Sequence, residues 1–317
     1  MNKIETIAKK ITDSTQKVYK GKQEIIDMIL AAIFAGGHIL LEDVPGTGKT
    51  VLAKAIAKSV GLPFSRIQCT PDLMPADVTG NSVWIPSKQE FEFRPGPVLS
   101  SIILVDELNR ATPRTQSSLL EAMAEGQVSV DGKDYKLEKP FFLIATENPV
   151  ESEGTFPLPE AQKDRFMMTL SLGYPTVEEE MQIITDQRST THPIESVQAV
   201  TNAAEILECM EEVVKVYVDE AVLKYLLELT NATRNHERIS SGVSPRGSIA
   251  LYKAGQAYAA IQGRNFVTPE DIKLLAPAVF RKRIILKNEA VIRGYTEEKL
   301  IEEIIQSTPI PSFKAHV

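Results

Sequence analysis

The stretch LEDVPGTGKT, residues 41–50, carries groups able to hold a chain of phosphates. Gly46 and Gly48 permit close backbone approach, and the amides from Gly46 to Thr50 can point at phosphate oxygens at the start of a helix. Lys49 reaches the β- and γ-phosphates, and the Thr50 hydroxyl is a ligand for Mg²⁺. Val44, Pro45, Thr47 and Val51 complete the nucleotide-contact set around them. The general pattern, G-x-x-x-x-G-K-[ST], calls for glycine at position 43, where this chain has Asp43. That position precedes the amides that do the cradling, so its side chain can turn to solvent or to neighbouring donors. A second group is IILVDE, residues 102–107. Asp106, at the end of an apolar run, is placed to hold Mg²⁺, usually through water, and Glu107 to orient and polarise an attacking water. An acidic strand end is a weak signal alone and a strong one downstream of a phosphate loop. Together the two groups describe Mg²⁺-dependent hydrolysis of a nucleoside triphosphate.

Elements of a definite kind must position these residues. HILLE (38–42) is a short apolar run leading into the glycine-rich loop, which predicts a buried strand. KTVLAKAIAKSV (49–60) follows as a helix that Gly61 ends. FSRIQC (64–69), SIILVDE (101–107), PFFLIATEN (140–148) and RFMMTL (165–170) read as further strands. Ile25, Ile29, Ala32 and Ile33 give 22–36 helical spacing, stopped at Gly36-Gly37. TPRTQSSLLEAMAEG (112–126) opens with Thr112 as N-cap and Pro113 at the first helical position. Alternating strands and helices predict an α/β fold with a parallel sheet. Two stretches alternate as hairpins, 82–93 around PSKQ and 127–137 around Asp131-Gly132. After GYP (173–175) the pattern becomes helical, with Ser244-Pro245 and Thr268-Pro269 opening two helices. The expected division is an α/β core over 1–174 and a smaller all-helical domain over 175–317.

Bulk composition narrows the class. The 317 residues are 43% hydrophobic and 24% charged, as in ordinary soluble globular chains. A net charge of −7 argues against sequence-independent nucleic-acid binding, which favours a basic excess. Cys69 and Cys209 form no C-x-x-C pair, and His38, His192, His236 and His316 have no metal-ligand spacing. The start, MNKIETIAKK, has no apolar h-region, and the run 28–37 is too short to span a bilayer. The expectation is a cytoplasmic protein without membrane insertion.

EDVPGTGKT, ILVDELNRATPRTQSSLLEAMAEGQV, IATENPVESEGTFPLPEAQKDRF and SPRGSIAL occur in this order. Together they resemble the MoxR family of AAA+ ATPases, a branch with an insert in helix 2. The similarity runs from about residue 18 to about residue 285. It implies a P-loop AAA+ core followed by a helical lid. It implies that Asn148 is the sensor-1 residue, that Arg165 is an arginine finger acting on a neighbour's nucleotide, and that Arg246 is sensor 2. Gly21, in YKGKQE, would lie close to the adenine. Arg110 and Arg114 are rivals for the trans position. The hairpin at 82–93 would be the helix-2 insert, with Trp84 packing on its own hairpin or touching substrate. The hairpin at 127–138 would be the presensor insert.

The resemblance also implies a homo-oligomeric ring, usually a hexamer, since a trans arginine leaves a monomer nearly inactive. The client would be a protein, possibly one with a von Willebrand A domain, matured or activated by ATP-driven remodelling. Rival readings are a metal-chelatase motor subunit, a nucleotide-gated scaffold with little turnover, and a DNA-directed motor. Arg281, Lys282 and Arg283 form a basic cluster expected on a solvated or inter-subunit face of the lid.

Overall fold

The computed structural model describes residues 3–44, 46–148, 154–186, 188 and 193–310. Pro45, residues 149–153 of the motif that follows Asn148, His192 and His316 lie outside them. In chain order the elements begin with α1 (Lys3–Gln16), α2 (Gln23–Phe34), β1 (Ile39–Glu42), α3 (Lys49–Val60) and β2 (Phe64–Gln68). Next come α4 (Pro75–Thr79), β3 (Gly80–Ile85), β4 (Glu90–Pro95), β5 (Ile102–Asp106) and α5 (Pro113–Glu125). They are followed by β6 (Gln127–Val130), β7 (Lys133–Lys136), β8 (Phe142–Glu147), α6 (Glu160–Lys163) and β9 (Met168–Leu170). The remainder is α7 (Val177–Asp186), α8 (Ala203–Val213), α9 (Glu220–Asn235), β10 (Ile239–Ser241), α10 (Pro245–Ile261), α11 (Pro269–Phe280), β11 (Ile285–Leu286), α12 (Asn288–Ile292) and α13 (Glu297–Ser307).

The central sheet has five parallel strands in the order β2-β5-β8-β1-β9. Helices cover both faces, so the inner strands are apolar at successive positions. Ile39 and Leu41, with Ile102, Leu104 and Ile144, face one core, which continues over α1 and α2 into the lid helices. Leu40, Ile103, Val105 and Leu143 face the other, closed by Leu119, Leu120 and Met123 of α5. Thr112 caps α5 by accepting from the Thr115 amide, and Ser244 and Thr268 cap α10 and α11 in the same way. Both predicted hairpins form, β3–β4 and β6–β7. The predicted fifth strand is only its last half, β9. Among the described residues no helix is long and apolar enough to cross a membrane.

Two features depart from the expected pattern. The lid is not all helical: β10 and β11 pair antiparallel, Ile239 opposite Leu286. At three and two residues they are too short to show alternation. A further helix, α1, buries Ile4, Ile7, Ala8 and Ile11 against α3, α2 and α10. Those positions have helical spacing, but polar neighbours mask it.

His38 locks the start of β1 to two other elements. The Leu143 amide donates to its Nδ1 at 3.1 Å, so Nε2 carries the proton and donates to the Met123 carbonyl at 3.1 Å. Burial pushes its pKa down to about 4, with the Met123 bond opposing. Between the unfolded value near 6.5 and 4, the unfolded chain binds a proton that the folded chain does not, so stability rises with pH in that window. Lowering the pH from 7 to 5 should therefore remove about 2 kcal/mol through this group. Urea unfolding at the two pH values checks it: His38→Gln should show a smaller pH-dependent loss than wild type.

Candidate nucleotide site

The strands end level with one another. Glu42 of β1 is in register with Glu147 of β8, and Gln68 of β2 with Asp106 of β5. Ligands of open α/β sheets bind beyond these carboxyl ends, and the glycine-rich loop begins at the end of β1. Gly46 and Gly48 have φ of 87° and 88°, a left-handed backbone that suits glycine. Gly48 then opens α3 with no side-chain cap, leaving the first amides of the helix directed at the loop. Lys49 Nζ lies across the loop and donates to the carbonyls of Asp43 at 2.7 Å and Val44 at 3.2 Å. Burial lowers its pKa, opposed by the charges of Asp43, Asp106 and Glu107.

Asp43 faces away from the amide cradle. Its carboxylate accepts from the Ser171 hydroxyl at 2.9 Å and from the amides of Leu172 at 2.5 Å and Gly173 at 3.2 Å. Of the two orientations the sequence allows, the fold takes the one toward neighbouring donors.

Thr50 and Asp106 meet at the base of the loop, with Thr50 Oγ1 3.4 Å from Asp106 Oδ2. The same oxygen accepts from Arg66 Nε at 2.6 Å, and the other carboxylate oxygen accepts from Thr146 Oγ1 at 3.3 Å. Glu107 sits in the left-handed region, φ 56° and ψ 51°, a conformation glutamate adopts at a cost of about 1–3 kcal/mol. The Thr146 hydroxyl accepts its amide at 2.9 Å. Gln68 Nε2 donates to Glu107 Oε2 at 2.9 Å, and Arg110 Nε lies 3.4 Å from the same oxygen. Arg66, Gln68 and Thr146 thus join the acid pair, although no motif marks them. Only the neighbouring positions of β2, β5 and β8 make them visible. Asn148 is buried just past β8, beside this group, and its carbonyl accepts from Asn109 Nδ2 at 3.4 Å.

A cavity of about 240 Å³ adjoins the loop. Tyr19 to Lys22, Gly46 to Gly48, Val51, Leu172 to Thr176 and Ile183 line it. A Cβ at Gly21 would fall 2.3 Å from the Tyr19 hydroxyl oxygen, so any larger residue there would have to displace the Tyr19 ring. Burial pushes Tyr19 up to about 12, with Glu179 and Asp43 adding to the effect. Lys20 pairs with Asp186 of α7 at 3.2 Å, tying the segment before α2 to α7.

Arg165 and Arg246 stand apart from this group. Arg165 is exposed and donates to the Leu120 carbonyl at 3.0 Å. Arg246, at the start of α10, lies 3.4 Å from Asp164 Oδ2. Asp164 also accepts from Ser244 Oγ at 2.9 Å and from Arg283 Nε at 2.9 Å. Arg114 is exposed on α5, whereas Arg110 is engaged with Glu107 in its own chain.

The basic cluster at 281–283 is a correction to the sequence expectation. It faces inward. Arg281 and Lys282 both reach Glu42 at 2.9 Å, and Arg283 is buried against Asp164 and the carbonyls of Phe166 and Met167. Glu42, buried at the end of β1, and Asp164, part-buried at the end of α6, demand these cations. Local sequence shows the charges but not partners so far away in the chain. Trp84 packs edge to face on Phe91 of its own hairpin, ring centroids 5.2 Å apart, and stays 46% exposed.

A phosphate loop after β1, an acid pair at the end of β5 two strands away, and a following helical domain define an AAA+ ATPase, a nucleotide-binding enzyme. The profile of the ATPase family associated with various cellular activities (AAA) matches residues 38–168, and that of the AAA lid domain matches residues 231–304. The uncharacterized protein YeaC of Bacillus subtilis is 48% identical over 95% of this chain and 94% of its own. Chaperone MoxR1 of Mycobacterium tuberculosis is 35% identical over 95% of this chain and 81% of its own. The crystal structure of an ATPase candidate from Cytophaga hutchinsonii matches with a TM-score of 0.91 at 40% identity, over 98% of this chain and 96% of that one. The chain belongs to the MoxR family of AAA+ ATPases.

The strain at Glu107 yields a stability test. Asn enters the left-handed region more readily than Glu. Glu107→Asn should raise stability by about 1 kcal/mol in urea unfolding while ATP turnover falls at least about 100-fold. A variant less stable than wild type would mean that the bonds to Gln68 and Arg110 outweigh the strain.

Proposed function

We propose that this chain hydrolyses ATP with Mg²⁺ in a homo-oligomeric ring, a hexamer, and uses the cycle to remodel, mature or activate a partner protein. The observation that carries this reading is the convergence of Lys49, Thr50, Asp106 and Glu107 at one sheet edge beside a cavity lined by Tyr19, Gly21 and the lid linker. In it, the amides from Gly46 to Thr50 hold the phosphates and Lys49 leaves the Asp43 carbonyl for them. Thr50 and Asp106 hold Mg²⁺, which screens phosphate charge and orients the phosphates for in-line attack. Glu107 polarises the attacking water, and Asn148 positions it. The adenine occupies the cavity against Gly21. Arg246 reports on the γ-phosphate from the lid, once drawn from Asp164.

Arg165 acts on the neighbour's nucleotide. Its exposure and its separation from the loop of its own chain support a role in trans. Residues 1–174 and 175–317 are the two bodies that rotate, and the linker at their junction lines the nucleotide cavity. A chaperone role for MoxR1 and the exposed Trp84–Phe91 pair favour a protein client over nucleic acid. The resemblance adds a von Willebrand A domain protein as the candidate partner and the cytoplasm as the place.

ATP turnover per subunit against protein concentration tests the ring. Wild-type turnover should rise with concentration, and Arg165→Ala should lose about 10³-fold, as for trans arginines elsewhere. Concentration-independent turnover in both would remove the shared site. The Mg²⁺ assignment has its own test in Arg66, which competes for Asp106 Oδ2. Arg66→Ala should lower the Mg²⁺ concentration for half-maximal ATP binding by about threefold or more, because a competing cation is gone. A rise instead would show Arg66 working on the phosphates.

A further inference from the structure

Asp43 occupies the position where the general loop pattern has glycine, and it is buried between two parts of the proposed machine. Its main chain belongs to the loop: the amide donates to the Glu147 carbonyl at 3.3 Å, and the carbonyl accepts from Lys49 Nζ at 2.7 Å. Its side chain belongs to the linker, where three consecutive residues, Ser171, Leu172 and Gly173, donate to the two carboxylate oxygens. Gly173 has φ 69°, a left-handed turn that presents successive donors to one anion. Charge-assisted bonds of this kind are about twice as strong as neutral ones. Immediately beyond them, Tyr174, Pro175 and Thr176 line the nucleotide cavity.

We propose that Asp43 is a positioning residue that couples the phosphate loop to the lid linker, so that nucleotide occupancy and lid position become one equilibrium. This rests on the ATP-dependent reading above. When Lys49 moves to phosphate, it releases the Asp43 carbonyl, and the strand end it held is free to shift. The carboxylate of the same residue carries that shift to 171–173 and so to the lid. A glycine at position 43 has no side chain with which to do this. The departure from the loop pattern is therefore the coupling device itself. The carboxylate stays outside the amide cradle and does not touch nucleotide.

The experiment is hydrogen exchange over 171–176 in the full chain, with and without a non-hydrolysable ATP analogue and Mg²⁺, alongside binding and turnover. In wild type the analogue should change exchange of the Leu172 and Gly173 amides by about tenfold. In Asp43→Ala these amides should exchange fast and independently of the analogue. Analogue affinity should stay within about threefold while kcat falls about tenfold, a split that a lost turn cap does not produce. Asp43→Asn, which keeps one acceptor oxygen, should recover part of both. Ser171→Ala should act in the same direction more weakly and add nothing in the Asp43→Ala background. The proposal is overturned if Asp43→Ala keeps the analogue-dependent change in exchange, or keeps kcat within about twofold while only stability drops. Failure of wild type to bind the analogue would instead sink the ATP reading, and the coupling with it.

Discussion

A row of carboxylates at one edge of a buried sheet sets the constraint that the rest of this structure answers. Glu42, Glu147, Asp106 and Glu107 all lie where parallel strands end, and the first three are buried. A buried carboxylate without a partner is too costly to keep ionised, so each must have a cation or donors, or else hold its proton. Glu42 has Arg281 and Lys282 from the lid. Asp106 has Arg66, Thr50 and Thr146. Glu147 is pushed up by burial and by Glu42, with Lys163 and Lys282 opposing. Lid docking is thus partly an electrostatic requirement of the core. Such pairs add little net stability but make a wrong arrangement expensive, since breaking one leaves a buried charge.

Asp164 extends the same logic to the second contact between core and lid. It gathers Ser244, Arg246 and Arg283, while Arg165 beside it in sequence points its guanidinium at α5. One carboxylate therefore fixes the start of α10 against the turn between α6 and β9. Arg283 is held by Asp164 and by main-chain carbonyls on either side, so it is a structural cation. Arg246 is only loosely held, at 3.4 Å and 59% exposed, and can leave. The difference in burial separates the two arginines' uses better than their spacing in sequence does.

What the chain shows locally, it shows plainly. Gly48, Lys49 and Thr50 are adjacent, Asp106-Glu107 ends an apolar run, and Thr112-Pro113 caps its helix; each pattern is complete within a few residues. What was hidden depends on pairing across the chain. Gln68 has meaning only because β2 lies in register with β5, and Arg66 only because it reaches Asp106 from that strand. The cations at 281–283 read as a solvated patch because Glu42 and Asp164 are remote in sequence. The donors for Asp43 lie more than a hundred residues away. Charge in a sequence reports a need for a partner without reporting which partner, and the topology supplies the answer.

The two hairpins follow the same rule on the apolar side. β3–β4 and β6–β7 each alternate clearly, yet neither can bury both faces alone. Phe93 stacks on Tyr135 with ring centroids 3.8 Å apart and planes 19° apart, joining one hairpin to the other. Such a pair contributes about 0.5–1.5 kcal/mol beyond the area it buries, enough to favour joint over separate movement. β6 continues directly from α5, whose start follows Glu107 by a single short turn. The exposed Trp84–Phe91 pair on β3–β4 is therefore linked through Phe93, Tyr135 and α5 to the strand end that carries the acid pair. The aromatic tip and the strand end are thus joined by two aromatic contacts and a short run of chain through α5 and β6.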